Sequence, residues 1–144
     1  MLRKPEDFYK EGSKVFRKAP FNVNSVKGWV TISEGKVADA LRAENSNTTR
    51  LGAAYDAILN LSFALLCSKG WRCTSADGHH VQALEAACAY AGLSSNVFDQ
   101  LDAIRDLRND QYQGVPATSK DVDEALALME RVVPELLSLL AVRP

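Results

Sequence analysis

The chain of 144 residues is poor in the side chains that most enzymes use for proton transfer and nucleophilic attack, with two histidines, adjacent at His79 and His80, and three cysteines, Cys67, Cys73 and Cys88. The cysteines form no CxxC pair and stand at no metal-ligand spacing from the histidines, so the common zinc frameworks are excluded. An odd number of thiols in a helix-patterned chain fits buried thiols in a reducing compartment. There is no P-loop, no glycine-rich dinucleotide turn, no GxSxG and no HExxH. Alternating β-branched runs bounded by hairpin turns are also missing, so strands are not expected. Charge of one sign is lacking too: 17 Lys and Arg against 18 Asp and Glu leave a net charge of -1, and nothing global demands a polyanionic partner. The first residues, MLRKPEDFYK, lack the apolar core of a secretory signal. The most apolar stretch, Leu51 to Cys67, is broken by Asp56 and Asn60 and reads as a core helix, not a membrane span. The expectation is a cytoplasmic protein with no membrane partner, no metal and no cofactor.

What the chain does contain is enough apolar material for one domain, at 47% hydrophobic and 24% charged residues. Basic residues crowd the start, with ten Lys and Arg against six Asp and Glu in residues 1–50, and seven against twelve in residues 51–144. Arg3, Lys4, Lys10, Lys14, Arg17 and Lys18 can meet nucleic acid or an acidic partner, or simply form a solvated surface.

Helical periodicity dominates. Pro5 suits a first turn, and Phe8, Gly12, Val15 and Ala19 recur at helical spacing up to Pro20. A second helix is expected from Val26 to about Glu44, capped by Ser25. Leu51, Ala54, Tyr55, Ile58, Leu61, Ser62 and Leu65 mark a third, closed by Gly70. After a loop from Arg72 to Gly78, a helix runs from His79 to Ala91, and another, capped by Ser94 or Ser95, carries Val97, Leu101, Ile104 and Leu107. Thr118 with Asp121 resembles a capping box at the head of a last helix, which Pro134 should kink. The fold class expected is all-α, a single up-and-down bundle of about four to six helices. Residues 1–25 read as an N-terminal helix or extension and residues 26–144 as the bundle.

Leu101, Arg105, Arg108 and Tyr112 follow one another at steps of four, three and four residues, which places them on one stripe of a helix. An arginine on a stripe that overlaps the apolar side must have its charge answered. The answer is either a bound anion or partner surface, or a carboxylate of the chain itself, for instance Asp56 facing Arg108. Asp99, Asp102, Asp106 and Asp110 share an outer face of the same helix and read as solvated, not as a metal site.

The run Leu107-Arg108-Asn109-Asp110-Gln111-Tyr112-Gln113-Gly114 resembles the signature helix of HEPN domains, small all-α bundles whose motif is an arginine with a histidine four to six residues on. The stretch AAYDAILNLSFALLCSKGW resembles the long helix preceding that motif, and Gly78-His79-His80 a recurrent helix start of the same family. The likeness spans about residues 26–140 in order and content. It implies metal-independent RNA cleavage in active members, the arginine holding the scissile phosphate and the histidine moving protons. Here the histidine is replaced: position 113 is Gln113, and no histidine follows His80. Tyr112 resembles family variants with a tyrosine in its place. Glutamine cannot titrate, and a tyrosine with an ordinary pKa near 10 is a poor base at pH 7. Arg108 can still bind a phosphate bidentately, so binding outlasts catalysis.

The resemblance therefore implies an RNA- or nucleotide-binding or interaction module with a degenerate motif, in a toxin–antitoxin or defence setting. It also implies a homodimer formed through the Arg108 helix, and an antitoxin or nucleotidyltransferase-like protein as partner. Ligand binding would fall to Arg105, Arg108, His80 and Gln113. If the chain is an enzyme, it is a ribonuclease working through Arg108, Tyr112 and Asn109, with His80 reaching across as the alternative base. The remaining reading is a purely structural or oligomerising bundle with Arg108 in an internal ion pair.

Overall fold

The computed structural model describes residues 1–140. Among these, six α-helices make an all-α bundle with one small sheet: α1 (Pro5–Lys10), β1 (Phe16–Lys18), α2 (Val23–Leu41), α3 (Asn47–Ser68), β2 (Trp71–Cys73), α4 (His79–Ala91), α5 (Ser95–Asp110) and α6 (Ser119–Leu139), with a 3-10 turn at Gln111–Gln113.

Helix α3 is the axis of the bundle, packed against α2, α4, α5 and α6. Its sequence is hydrophobic nearly all round, the pattern of a helix with neighbours on every side. Leu51, Tyr55, Ile58, Leu61 and Leu65 are all at most 2% exposed. By length and composition α3 could also cross a membrane, but 67% of its most apolar window is buried inside the fold. Ser46 caps its N-terminus, its side chain accepting from the Thr49 N–H at 3.2 Å. At the other end Gly70 adopts a left-handed conformation with φ of 85°.

The partners of α2 along α3 show how the two run. Asn22 meets Cys67, Trp29 meets Phe63, Ser33 meets Ala57, Lys36 meets Asp56 and Ala40 meets Arg50. One index rises as the other falls, so the helices are antiparallel, as the short connection between them requires. This register carries Lys36 to the same level as Asp56.

The N-terminal segment departs from the sequence reading. The helix stops at Lys10 instead of running to Ala19, and Gly12 turns the chain at φ of 89°. Val15 and Phe16 then enter an apolar cluster with Phe8, Leu66, Trp71, Ala83 and Ala86. Phe16–Lys18 pairs antiparallel with Trp71–Cys73, so strands form where none were expected and the supposed loop after Gly70 begins as one of them. The cause is tertiary: burial of Phe16 and Trp71, rings 6.3 Å apart, rewards an extended backbone that neither three-residue segment would hold alone. Glu6 accepts hydrogen bonds from Tyr90 Oη (2.8 Å) and Trp71 Nε1 (3.2 Å), and Arg3 Nε donates to Glu85 (2.9 Å), which straps α1 to α4 and β2.

Further along, the expected elements appear where the sequence places them. Helix α2 starts slightly early, capped by Asn22 rather than Ser25. The Thr118–Asp121 capping box forms with both reciprocal hydrogen bonds, at 3.1 and 3.0 Å. Helix α6 continues through Pro134, which sits on its exposed side.

Candidate functional site

The stripe on α5 climbs from the core to the surface. Leu101 is buried, the side chains of Arg105 and Arg108 are 26% and 23% exposed, and Tyr112, on the 3-10 turn, is 70% exposed. Arg105 is held within its own helix: its Nε donates to Asp102 at 2.9 Å, and Asp106 lies 3.6 Å from Nη2. Asp102 and Asp106 are thus ion-pair partners as well as members of the acidic face.

Arg108 leans instead onto α3. Its Nη2 donates to Asp56 Oδ1 at 3.3 Å, and its guanidinium carbon lies 5.5 Å from the centre of the Tyr55 ring, within range of a cation–π contact. The stem passes Gly52, where a Cβ would stand at ordinary contact distance, 4.0 Å, from Arg108 Cγ. The internal ion pair open from spacing alone is therefore formed. It is a single long contact, not the two-pronged arrangement a guanidinium and carboxylate can adopt. Asp56 is shared, its other oxygen lying 3.7 Å from Lys36 Nζ on α2. Four of the five N–H groups of Arg108 have no hydrogen-bond partner among the described residues.

His80 joins this cluster from the first turn of α4. Its Nδ1 lies 3.5 Å from the Tyr55 hydroxyl, and its ring is in T-shaped contact with His79 at 4.3 Å and with Phe63 at 6.3 Å. Burial lowers its proton affinity first, then the neighbouring His79 and Arg108, with Arg105 adding and Asp56 opposing. His80 therefore takes up a proton less readily than a free imidazole, and with Nδ1 accepting from the Tyr55 hydroxyl it is left with Nε2–H as a donor. Burial likewise pushes the Tyr55 hydroxyl well above its ordinary value, against the pull of Arg105 and Arg108, so it remains a neutral donor.

Of the residues singled out from sequence, Arg108 and His80 meet at Tyr55, while Arg105 is engaged by Asp102 and Asp106 one turn back along α5. Tyr112, Asn109 and Gln113 do not join them: all three are exposed, and no side-chain hydrogen bond ties them to Arg108 among the described residues. Sequence reasoning placed Tyr55 in the core without a polar role, although a buried tyrosine must find a partner for its hydroxyl, which was the available signal. Lys36 had no signal, because its place depends on the α2–α3 register. No group of three or more His, Cys, Asp or Glu residues with metal-binding geometry occurs among the described residues.

Comparison with known proteins finds no matching family model, no matching curated sequence and no matching solved structure.

The histidine gives a pH signature with a definite sign. The folded state binds a proton at His80 less readily than the unfolded chain, whose ordinary value is near 6.5. Its stabilising contribution is complete above about pH 6.5 and is lost as the unfolded chain takes up the proton below that. In urea titrations between pH 8 and pH 5, His80→Gln is expected to lose less stability on acidification than the wild type. Parallel profiles would contradict the burial of His80 in a cationic neighbourhood.

Proposed function

We propose that this chain is a HEPN-like binding module whose Arg108 cluster grips a phosphate of RNA or of a nucleotide. The observation that carries this reading is the state of Arg108: a part-exposed guanidinium held by one 3.3 Å contact to a carboxylate that already has a second cation. A surface-proximal ion pair of this kind is worth about 1 kcal/mol or less. A phosphate offering two or three charged hydrogen bonds, each worth about 1.5–3 kcal/mol, outcompetes it. Lys36 then keeps Asp56 neutralised. Arg105 and neutral His80 flank the anion, and Tyr55 fixes His80 from beneath.

Two further readings rest on specific observations. The place of His80 beside Tyr55 and Arg108 favours an endoribonuclease in which His80, not Tyr112, supplies the base, its Nδ1 giving up the long contact with the Tyr55 hydroxyl to take the proton, with the phosphate held as above. The formed Arg108–Asp56 pair favours a structural role for Arg108 as a tie between α5 and α3. Self-association through the α5 end is part of the leading reading, supported by the exposure of Tyr112 (70%) and Val115 (52%) beside the cluster.

The readings separate in one set of measurements: fluorescence anisotropy of a labelled single-stranded RNA, gel analysis of the same RNA, and thermal melting, for wild type, Arg108→Ala and His80→Ala. Binding weakened about tenfold or more by Arg108→Ala, with the RNA intact, is the expected result. RNA cleaved by the wild type and spared by His80→Ala would establish the nuclease. Unchanged affinity in Arg108→Ala with a lowered melting temperature would leave only the structural tie.

A further inference from the structure

Beside the Arg108 cluster lies a second feature that the phosphate grip does not use. A cleft of about 660 Å³ opens between the start of α2, the end of α3, strand β2 and the loop into α4. Its walls are the rings of Trp29, Phe63 and Trp71, and Trp29 and Phe63 stand 5.1 Å apart, tilted by 48°. Trp71 is 5% exposed and forms a fixed wall, anchored by its indole hydrogen bond to Glu6. Trp29 and Phe63 are half-buried, each presenting part of its ring to the opening.

The polar lining is one-sided in charge. Asn22, Ser25, Thr74, Ser75, Arg72 and His79 face the cleft, and no aspartate or glutamate lines it. Arg72 is exposed on β2 and has no hydrogen-bond or ion-pair partner among the described residues. His79 Nδ1 lies 3.1 Å from the Ala76 carbonyl and must donate to it, which leaves Nε2 as an acceptor. The smaller hollow next to this cleft shares Ala19, Pro20 and Trp71 with it and adds Lys18 and Lys69, again without a carboxylate.

Aromatic walls, an arginine in the lining without an ion-pair partner and no opposing carboxylate together select a ligand that is planar, aromatic and anionic. A volume in this range suits a ligand of nucleotide size. Stacking on aromatic faces with a cation for the phosphate is how proteins hold single nucleotides of an unpaired strand. Packed rings connect one wall of the cleft to the Arg108 cluster: Phe63 to His80 (6.3 Å) and His80 to the buried Tyr55 (6.4 Å), with the Arg108 guanidinium over Tyr55.

We infer that this cleft is a nucleobase pocket, in which one unpaired base stacks against Trp29 and Phe63 while Arg72 holds its phosphate. This rests on the reading of the Arg108 cluster as a phosphate site, which would then take a phosphate further along the same strand. A free mononucleotide and a base within single-stranded RNA share the recognised chemistry, and the experiment separates them.

Trp29 and Trp71 are the two tryptophans of the chain and both line the cleft, so intrinsic fluorescence reports its occupancy directly. Wild type, Trp29→Ala, Arg72→Ala and Arg108→Ala are titrated with adenosine 5′-monophosphate, ribose 5-phosphate and a labelled hexaadenylate. The expected result is saturable quenching by the mononucleotide and the hexamer but not by ribose 5-phosphate, weakened about tenfold by Trp29→Ala. Arg72 is exposed, so Arg72→Ala keeps the fold and is also expected to weaken binding; a pocket indifferent to both substitutions is overturned. Arg108→Ala is expected to weaken the hexamer and leave the mononucleotide unchanged. Hexamer binding by anisotropy without any change in tryptophan fluorescence refutes the pocket and leaves the Arg108 site standing. Mononucleotide quenching with hexamer affinity insensitive to Arg108→Ala supports the pocket and refutes the Arg108 reading. Equal quenching by ribose 5-phosphate refutes base recognition.

Discussion

Asp56 stands on the central helix with a cation from a different helix at each of its carboxylate oxygens, Arg108 from α5 at 3.3 Å and Lys36 from α2 at 3.7 Å. One acid answering two cations leaves neither fully satisfied, and the polar side of the bundle depends on that imbalance. Were Asp56 devoted to Arg108 alone and sealed from water, removing either partner would cost about 3–5 kcal/mol and the pair could not be traded for a ligand. At 21% and 23% side-chain exposure the pair lies between the buried and the surface case, and the second cation makes exchange cheaper still. The same residue that makes Arg108 tolerable in the bundle thus keeps it available.

The rest of the arrangement follows from α3. Because that helix is apolar on nearly every face, its neighbours pack around it, and its few polar positions decide where charge can gather. Asp56 draws Lys36 and Arg108 to one level. Tyr55, one residue earlier and fully buried, turns its hydroxyl toward His80 on α4 and sets its ring under the Arg108 guanidinium. A few residues on, Phe63 faces Trp29 and opens the aromatic cleft. The Arg108 cluster and the aromatic cleft therefore lie along one helix, and the strand pair Phe16–Lys18 with Trp71–Cys73 supplies the outer wall.

The all-α class and the course of the helices from α2 onward were legible because each rests on local physics: periodicity, side-chain caps at Ser94 and Thr118, and a left-handed glycine at Gly70, while at the head of α2 Asn22 took the capping place expected of Ser25. The region before α2 was not. Phe8, Gly12, Val15 and Ala19 fall at helical spacing by coincidence, and only contact with Trp71, far along the chain, makes an extended Phe16 preferable. At the site, the stripe from Leu101 to Tyr112 was readable, and so was Asp56 as an acid that could face it. What spacing could not show is that α5 tightens into a 3-10 turn at Gln111, which carries Tyr112 out to solvent, or that His80 would arrive instead. Charge and register between separate helices decide such matters, and neither is written in local pattern.

If Asp56 holds Arg108 in place of a ligand's phosphate, carboxylate and phosphate must compete for one guanidinium, and that competition is measurable. The side-chain Nε–Hε resonance of Arg108, assigned through Arg108→Lys, can be followed by NMR during a pyrophosphate titration of wild type and Asp56→Asn. With the competing carboxylate neutralised, the resonance should shift at pyrophosphate concentrations up to about fivefold lower than in the wild type, in keeping with the loss of a contact worth about 1 kcal/mol. A resonance that does not respond to pyrophosphate in either protein would show Arg108 to be a structural tie and contradict the claim.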